Sequence, residues 1–200
     1  MIFFNSIKVI DSPRFEDLPF EISELKDLNV LVGPNGCGKT TIMGAILDLT
    51  REQWDKTFHT KLSYVRNPAI TNKVDCYSLF YKDLAKIKHD FSMYDDGFLG
   101  AYDVMNSFKS AGERSATQID DIANVENGVI LIDEMDASLD WRQQQQYVSK
   151  LKALAVRNQV FVATHSPLVC SQVEEMYDVS QRRWCTWNEI KEHYGLETIA

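Results

Sequence analysis

Three short, largely apolar runs stand out along the chain. They are residues 28–32, 129–132 and 160–163, and each contains valine, isoleucine or leucine. A run of this length and apolar content is typical of a strand buried on both faces, as in the middle of a parallel sheet. Residues 74–81 carry a weaker apolar pattern, and we predict a fourth strand there.

Between these runs, apolar residues recur at helical spacing. After the first run, one face of a helix over residues 40–49 collects Ile42, Met43, Ile46 and Leu47. Further helices are predicted over residues 115–125, over residues 141–154, and from Pro167 to about residue 175. Strands that alternate with helices indicate an α/β fold, with a mainly parallel sheet flanked by helices.

The two ends of the chain depart from this alternation. Near the N-terminus, alternating Ile7 and Val9 and the segment 20–23 predict antiparallel strands. Near the C-terminus, residues 177–179 and 184–187 predict a small hairpin, followed by a short helix over residues 188–194. We expect one domain over residues 1–200, with its core motifs in 28–170 and the hairpin and short helix in 176–200.

The remaining segments give weaker patterns. Residues 51–74 are polar without a clear period, and we predict a helix followed by a loop. Residues 82–88 favour a helix, and residues 92–107 favour a loop.

Composition narrows the class of protein. The chain has 200 residues, of which 44% are hydrophobic and 25% charged, as in an ordinary globular domain. No run approaches the about 18 apolar residues of a membrane span, and the N-terminus carries no secretion signal, so we expect a cytoplasmic protein. The four cysteines lie far apart, which favours reduced thiols. A net charge of −8 argues against strong nucleic-acid binding. Arg182 and Arg183 are candidates for a local basic patch.

The first apolar run ends in a glycine-rich loop that opens a predicted helix. The sequence GPNGCGKT over residues 33–40 satisfies the phosphate-loop pattern GxxxxGK[ST] in the context that the pattern requires. Backbone N–H groups and the helix N-terminus would surround phosphate oxygens, Lys39 would reach the β- and γ-phosphates, and Thr40 would bind Mg²⁺. The predicted ATP-binding residues of this loop are Gly33, Asn35, Gly36, Cys37, Gly38, Lys39, Thr40 and Thr41. The alternative is a glycine-rich turn beside a surface lysine.

The second apolar run ends in two acids, Asp133 and Glu134. Adjacent carboxylates at the end of a buried strand need a cation or hydrogen bonds to compensate them. Asp133 is predicted to hold Mg²⁺ together with Thr40, and Glu134 to polarise the water that attacks the γ-phosphate. Two solvated acids at a strand end are the structural alternative.

Three more segments, in chain order, resemble motifs of the ABC-type ATPase superfamily. Residues 110–113 (SAGE) resemble its signature, residues 137–140 (ASLD) its D-loop, and residues 162–167 (VATHSP) its switch-histidine segment. We call these the signature-like, D-loop-like and switch segments. Each segment alone is weak evidence for the family, because a helix cap or a loop would explain any one of them. With both phosphate-site motifs, five occur in the expected order.

The resemblance implies that two ATPase domains enclose two ATP molecules between them. Ser110, Gly112 and Glu113 would then lie against the γ-phosphate bound by the partner's loop. Asp140 would report across the interface, and His165 would contact the γ-phosphate or the attacking water. Since each motif occurs once, the arrangement needs a homodimer or a related ATPase chain.

The sequence departs from transporter subunits in its signature and switch segments, and it offers no clear Q-loop glutamine. The pattern is more similar to stand-alone RecF/SMC-like and OLD-like ATPases of DNA repair and phage–host conflict, without a coiled-coil arm. Any effector would be a separate protein. Three functions stay open: an ATPase motor or switch, an ATP-dependent binding module with little turnover, and a transporter nucleotide-binding subunit.

Overall fold

Two sheets make up the strand content of the described chain. The computed structural model describes residues 2–51, 60–70, 75–80 and 111–196. A six-stranded sheet has the order β5-β6-β7-β3-β8-β9, and a three-stranded sheet has the order β2-β1-β4. The strands are β1 (Phe4–Asp11), β2 (Phe20–Ile22), β3 (Leu28–Val32), β4 (Lys61–Arg66), β5 (Asp75–Phe80), β6 (Gly128–Asp133), β7 (Gln159–Ala163), β8 (Met176–Asp178) and β9 (Arg183–Cys185).

The larger sheet is parallel from β5 through β8. Strands β6 and β7 pair in parallel, as do β3 and β7, and every residue of β6 and β7 is buried. The antiparallel pair β8–β9 closes one edge and forms the expected C-terminal hairpin. The α/β fold with a mainly parallel sheet is therefore confirmed, and so are the antiparallel N-terminal strands.

Helices cover the parallel sheet on both faces. They are α1 (Lys39–Arg51), α2 (Ala111–Asp121), α3 (Trp141–Ala155), α4 (Pro167–Cys170) and α5 (Trp187–Tyr194), with a 3-10 turn at Met135–Ser138. Alternate residues of β6 point to opposite layers: Val129 and Leu131 pack with α1, whereas Ile130 and Ile132 pack with α2 and α3. This alternation explains why the run is apolar throughout.

The side chain of Gln159 joins the two sheets. It is fully buried at the start of β7. Its Oε1 accepts hydrogen bonds from the backbone N–H groups of Phe3 (3.0 Å) and Phe4 (2.9 Å). Its Nε2 donates to the carbonyls of Phe4 (2.9 Å) and Lys26 (3.2 Å). One amide therefore bonds four backbone groups at a place where the strands of the two sheets do not pair with each other.

Three sequence predictions need correction. The loop predicted in the later part of residues 51–74 is wrong, because residues 61–66 form strand β4, which pairs antiparallel with β1. The helix predicted in the earlier part falls mostly on residues 52–59, outside the described residues. The helix after Pro167 ends at Cys170 rather than near residue 175. Helix α2 runs from Ala111 to Asp121 and not over residues 115–125. The predictions for residues 82–88 and 92–107 fall outside the described residues. No helix within the described ranges is long and apolar enough to cross a membrane.

Candidate nucleotide site

The glycine-rich loop lies where β3 ends and α1 begins, at the carboxyl edge of the parallel sheet. Lys39 is the first residue of α1 and is only 4% exposed. Its Nζ donates to the loop's own carbonyls, those of Gly33 (3.0 Å) and Pro34 (3.2 Å). Two carbonyls of the loop therefore hold the Lys39 ammonium group against the loop.

The other predicted residues of the loop follow its course from tip to helix. Asn35 and Gly36 are exposed at the tip, and Cys37 and Thr41 are half-buried. Burial raises the pKa of the Cys37 thiol, against the lowering influence of the Lys39 charge. Cys37 is therefore a neutral thiol at pH 7.

A segment that sequence reasoning did not assign to the site lies against this loop. Arg14 donates a hydrogen bond from its guanidinium to the Gly36 carbonyl. The ring of Phe15 fills the space beside Gly38, whose φ of +106° and lack of a Cβ allow the contact. The loop between β1 and β2 thus holds the phosphate loop from outside. The only sequence signal for this contact is the aromatic character of Phe15.

Thr40 and Asp133 meet across 93 residues of sequence. The Thr40 hydroxyl donates to Asp133 Oδ2 at 2.8 Å, and Asp133 is 4% exposed. Strands β3 and β6 flank β7, so their carboxyl ends reach the same edge of the sheet. A hydroxyl and a carboxylate at this edge are the oxygen ligands that Mg²⁺ prefers, so the donor set fits the ion.

Glu134 and His165 also lie together. His165 Nε2 is 3.3 Å from Glu134 Oε1. The chain turns sharply after β6, with Glu134 at φ 54°, and the Glu134 N–H donates to the Ala163 carbonyl at 2.9 Å. Partial burial and the Lys39 charge lower the pKa of His165, against the raising influence of Glu134. The imidazole is therefore neutral at pH 7, and its Nε2–H can donate to the Glu134 carboxylate.

The D-loop-like segment lies directly before helix α3, and its last residue, Asp140, caps the helix. The Asp140 carboxylate accepts from the Gln143 N–H at 2.8 Å, and the Gln143 side chain accepts from the Asp140 N–H, forming a capping box. In the signature-like segment, Gly112 and Glu113 lie in the first turn of α2, and Ser110 lies outside the described residues. Ser115 and Ser138 share a hydrogen bond of 2.8 Å and so connect α2 to the D-loop-like segment.

The structure thus gathers Lys39, Thr40, Asp133, Glu134 and His165 at one edge of the sheet. Their roles in binding and hydrolysis stay predictions, as do those of Ser110, Gly112, Glu113 and Asp140. Sequence reasoning missed two polar side chains behind this group, Asp136 and Gln144. Their only signal was the position of Asp136 two residues after Glu134.

Comparison with known proteins supplies a family. The model of the ATPase family associated with various cellular activities (AAA) matches residues 29–161. A bacterial Atm1-family ABC exporter with ATP bound is 15% identical at a TM-score of 0.49, and the match covers 98% of this chain and 41% of the exporter chain. A putative metal-chelate type ABC transporter in an inward-facing conformation is 18% identical at a TM-score of 0.45, with 92% and 84% covered. No curated protein matches the chain.

Proposed function

Because this chain belongs to the ATPase family associated with various cellular activities, we propose that it binds Mg·ATP at residues 33–41 and hydrolyses it with Glu134 and His165. The observation that carries the proposal is the Glu134–His165 contact of 3.3 Å at the sheet edge where Thr40 meets Asp133. A carboxylate that can accept a proton lies beside a neutral imidazole that can donate a hydrogen bond.

Each residue has a task that its surroundings support. The backbone N–H groups of the loop and the Lys39 ammonium bind the phosphates. Thr40 and Asp133 hold Mg²⁺, which neutralises charge on the phosphate oxygens when it is bound. Glu134 orients a water and takes its proton. In the ligand-free protein the single N–H of neutral His165 holds the Glu134 carboxylate. With ATP bound, the same N–H would donate instead to the γ-phosphate or to that water.

The assembly we propose is a head-to-tail dimer around two ATP molecules. It is the arrangement that the resemblance to ABC-type ATPases implies. Its support is the order of the signature-like, D-loop-like and switch segments in a single copy. Ser110, Gly112 and Glu113 would face the partner's nucleotide, and Asp140 would lie at the interface. The departures from transporter motifs favour a stand-alone RecF/SMC-like or OLD-like ATPase that drives a separate effector in DNA repair or phage–host defence.

The test is phosphate release by wild type and by Glu134→Gln in the presence of Mg·ATP. Loss of a general base lowers the rate by about 10²- to 10⁴-fold, whereas ATP affinity should stay within about twofold because the phosphate loop is intact. The matched control is Glu174→Gln, the same substitution at an exposed glutamate, and it should behave as wild type.

Two outcomes would redirect the proposal. Wild type that binds ATP without Glu134-dependent phosphate release would be an ATP-dependent binding module. A Glu134→Gln protein that stays monomeric by light scattering with saturating Mg·ATP would remove the dimer from the proposal.

A further inference from the structure

A closed ring of hydrogen bonds lies behind the Glu134–His165 pair. The Thr164 hydroxyl donates to Asp136 Oδ2 (2.7 Å) and accepts from the Ser166 N–H (2.9 Å). The Ser166 hydroxyl donates to Gln144 Oε1 (2.7 Å). Gln144 Nε2 donates to the Asp136 carbonyl (3.2 Å), which completes the ring. The ring joins the 3-10 turn after β6, helix α3 and the switch segment.

The ring is buried on the side of Asp136 and Thr164. Asp136 is 3% exposed and Thr164 is fully buried. Within the described part of the chain, Asp136 Oδ1 has no hydrogen-bond partner. A buried carboxylate that is only half satisfied contributes little to folding compared with an apolar side chain of the same size. Its presence is therefore better explained by what its other oxygen holds.

Asp136 Oδ2 is connected to the backbone around His165 through the Thr164 hydroxyl. Thr164 and Ser166 are the two neighbours of His165, and both belong to the ring. On the other side of the pair, Asp136 follows Glu134 by two residues, and the Glu134 N–H is bound to the Ala163 carbonyl. The ring therefore fixes the backbone on both sides of His165, while the Glu134 N–H bond fixes the backbone of Glu134.

Gln144 extends the ring to the D-loop-like segment. Its Nε2 also donates to the Leu139 carbonyl at 3.0 Å, and its backbone N–H donates to the Asp140 carbonyl at 2.8 Å. A movement of residues 139–140 therefore changes the hydrogen bonds of Gln144, and through Ser166 it reaches His165. The contacts form a continuous path of side chains between the two segments.

We propose that Asp136 and Gln144 are positioning residues that hold His165 against Glu134 and connect its position to that of Asp140. The role rests on the proposed function, because it assigns a task to residues behind the proposed catalytic pair. Neither residue touches the reacting atoms. Both act through the backbone on the two sides of His165.

The first experiment measures hydrolysis by Gln144→Ala, with Gln146→Ala as its control on the same helix. Gln144 is half-buried and Gln146 is exposed, so neither change opens the core. A displacement of about 1 Å at a reacting group can cost about 100-fold, so Gln144→Ala should lower kcat by about 10- to 100-fold. KM for ATP should stay within about twofold, and Gln146→Ala should match wild type. A Gln144→Ala protein with wild-type kcat would overturn the proposal.

The second experiment reports the position of His165 without hydrolysis. The ¹⁵N resonances of its imidazole, assigned with His165→Ala, are compared in the ligand-free full chain. Gln144→Ala should shift these resonances in the same direction as Glu134→Gln, whereas Gln146→Ala should leave them in place. Thr164→Val removes the hydroxyl at constant shape and should also shift them, and Thr164→Ser, which keeps it, should restore them.

The two experiments separate the two proposals. Absence of phosphate release from wild type would contradict the proposed function, and the resonances would still decide the role of the ring. Unchanged His165 resonances in both Gln144→Ala and Thr164→Val would refute the positioning role whatever the rate of hydrolysis. Should Thr164→Val fail to fold, the half-buried Gln144 variant carries the test alone.

Discussion

Replacement of Gln159 by leucine tests how the N-terminal strands are attached to the parallel sheet. The substitution keeps the approximate size of a fully buried side chain and removes its four hydrogen bonds. The N–H groups of Phe3 and Phe4 lose the acceptor that they share. Two carbonyls lose a donor, but a carbonyl tolerates this loss better because other donors can approach it.

The expected loss of stability follows from the two buried N–H groups, those of Phe3 and Phe4, that lose their acceptor. A buried donor left without a partner costs about 1–3 kcal/mol, so Gln159→Leu should lower the free energy of unfolding by about 2–6 kcal/mol. That is a large part of the about 5–15 kcal/mol by which a typical domain is stable. The control is Gln172→Leu, because Gln172 is half-buried and makes one side-chain bond, to the Leu168 carbonyl at 3.3 Å. We expect it to change stability by about 0.5 kcal/mol or less.

Urea unfolding followed by far-UV circular dichroism measures both variants, with stability taken by linear extrapolation. An unchanged slope with a lower midpoint is the expected result for Gln159→Leu. A loss below about 1 kcal/mol at unchanged slope would contradict the reasoning, because the two donors would then not depend on this amide. A reduced slope would indicate instead that β1 separates from the sheet before the rest unfolds.

Two further predictions concern the site. Because burial and the charge of Lys39 lower the pKa of His165, its imidazole should titrate below pH 6.5 in the ligand-free protein. The stability that the neutral imidazole contributes is therefore complete above pH 6.5 and is lost as the pH falls further. A midpoint at or above 6.5, measured by NMR, would contradict this prediction. Trp141, 63% exposed at the start of α3, should lie in the proposed dimer interface, whereas Val156, 76% exposed just past the end of α3, should not. In the Glu134→Gln background, Trp141→Ala should weaken ATP-dependent dimerisation about tenfold or more, as measured by light scattering. Val156→Ala should leave dimerisation unchanged. Equal effects of the two substitutions would exclude Trp141 from the interface.

Local patterns in the sequence predicted the buried strands well. The runs that became β3, β6 and β7 are apolar except for the buried Asn29, because both faces of each strand are covered. Strand β4 has no such pattern, since it pairs at the edge of a small sheet where Tyr64 and Val65 stay exposed. Its position depends on pairing with β1, whose partner residues lie 50 to 62 positions earlier in the chain.

The sequence by itself determined the phosphate loop, the two acids at the end of β6 and the histidine after β7, because each motif is a short stretch with its own backbone chemistry. Only the tertiary structure decided which side chains support them. Asp136 and Thr164 are 28 residues apart, and Gln144 and Ser166 are 22 apart. These contacts exist because parallel strands bring their carboxyl ends to one edge of the sheet, and no local pattern in the chain records which polar side chains meet there.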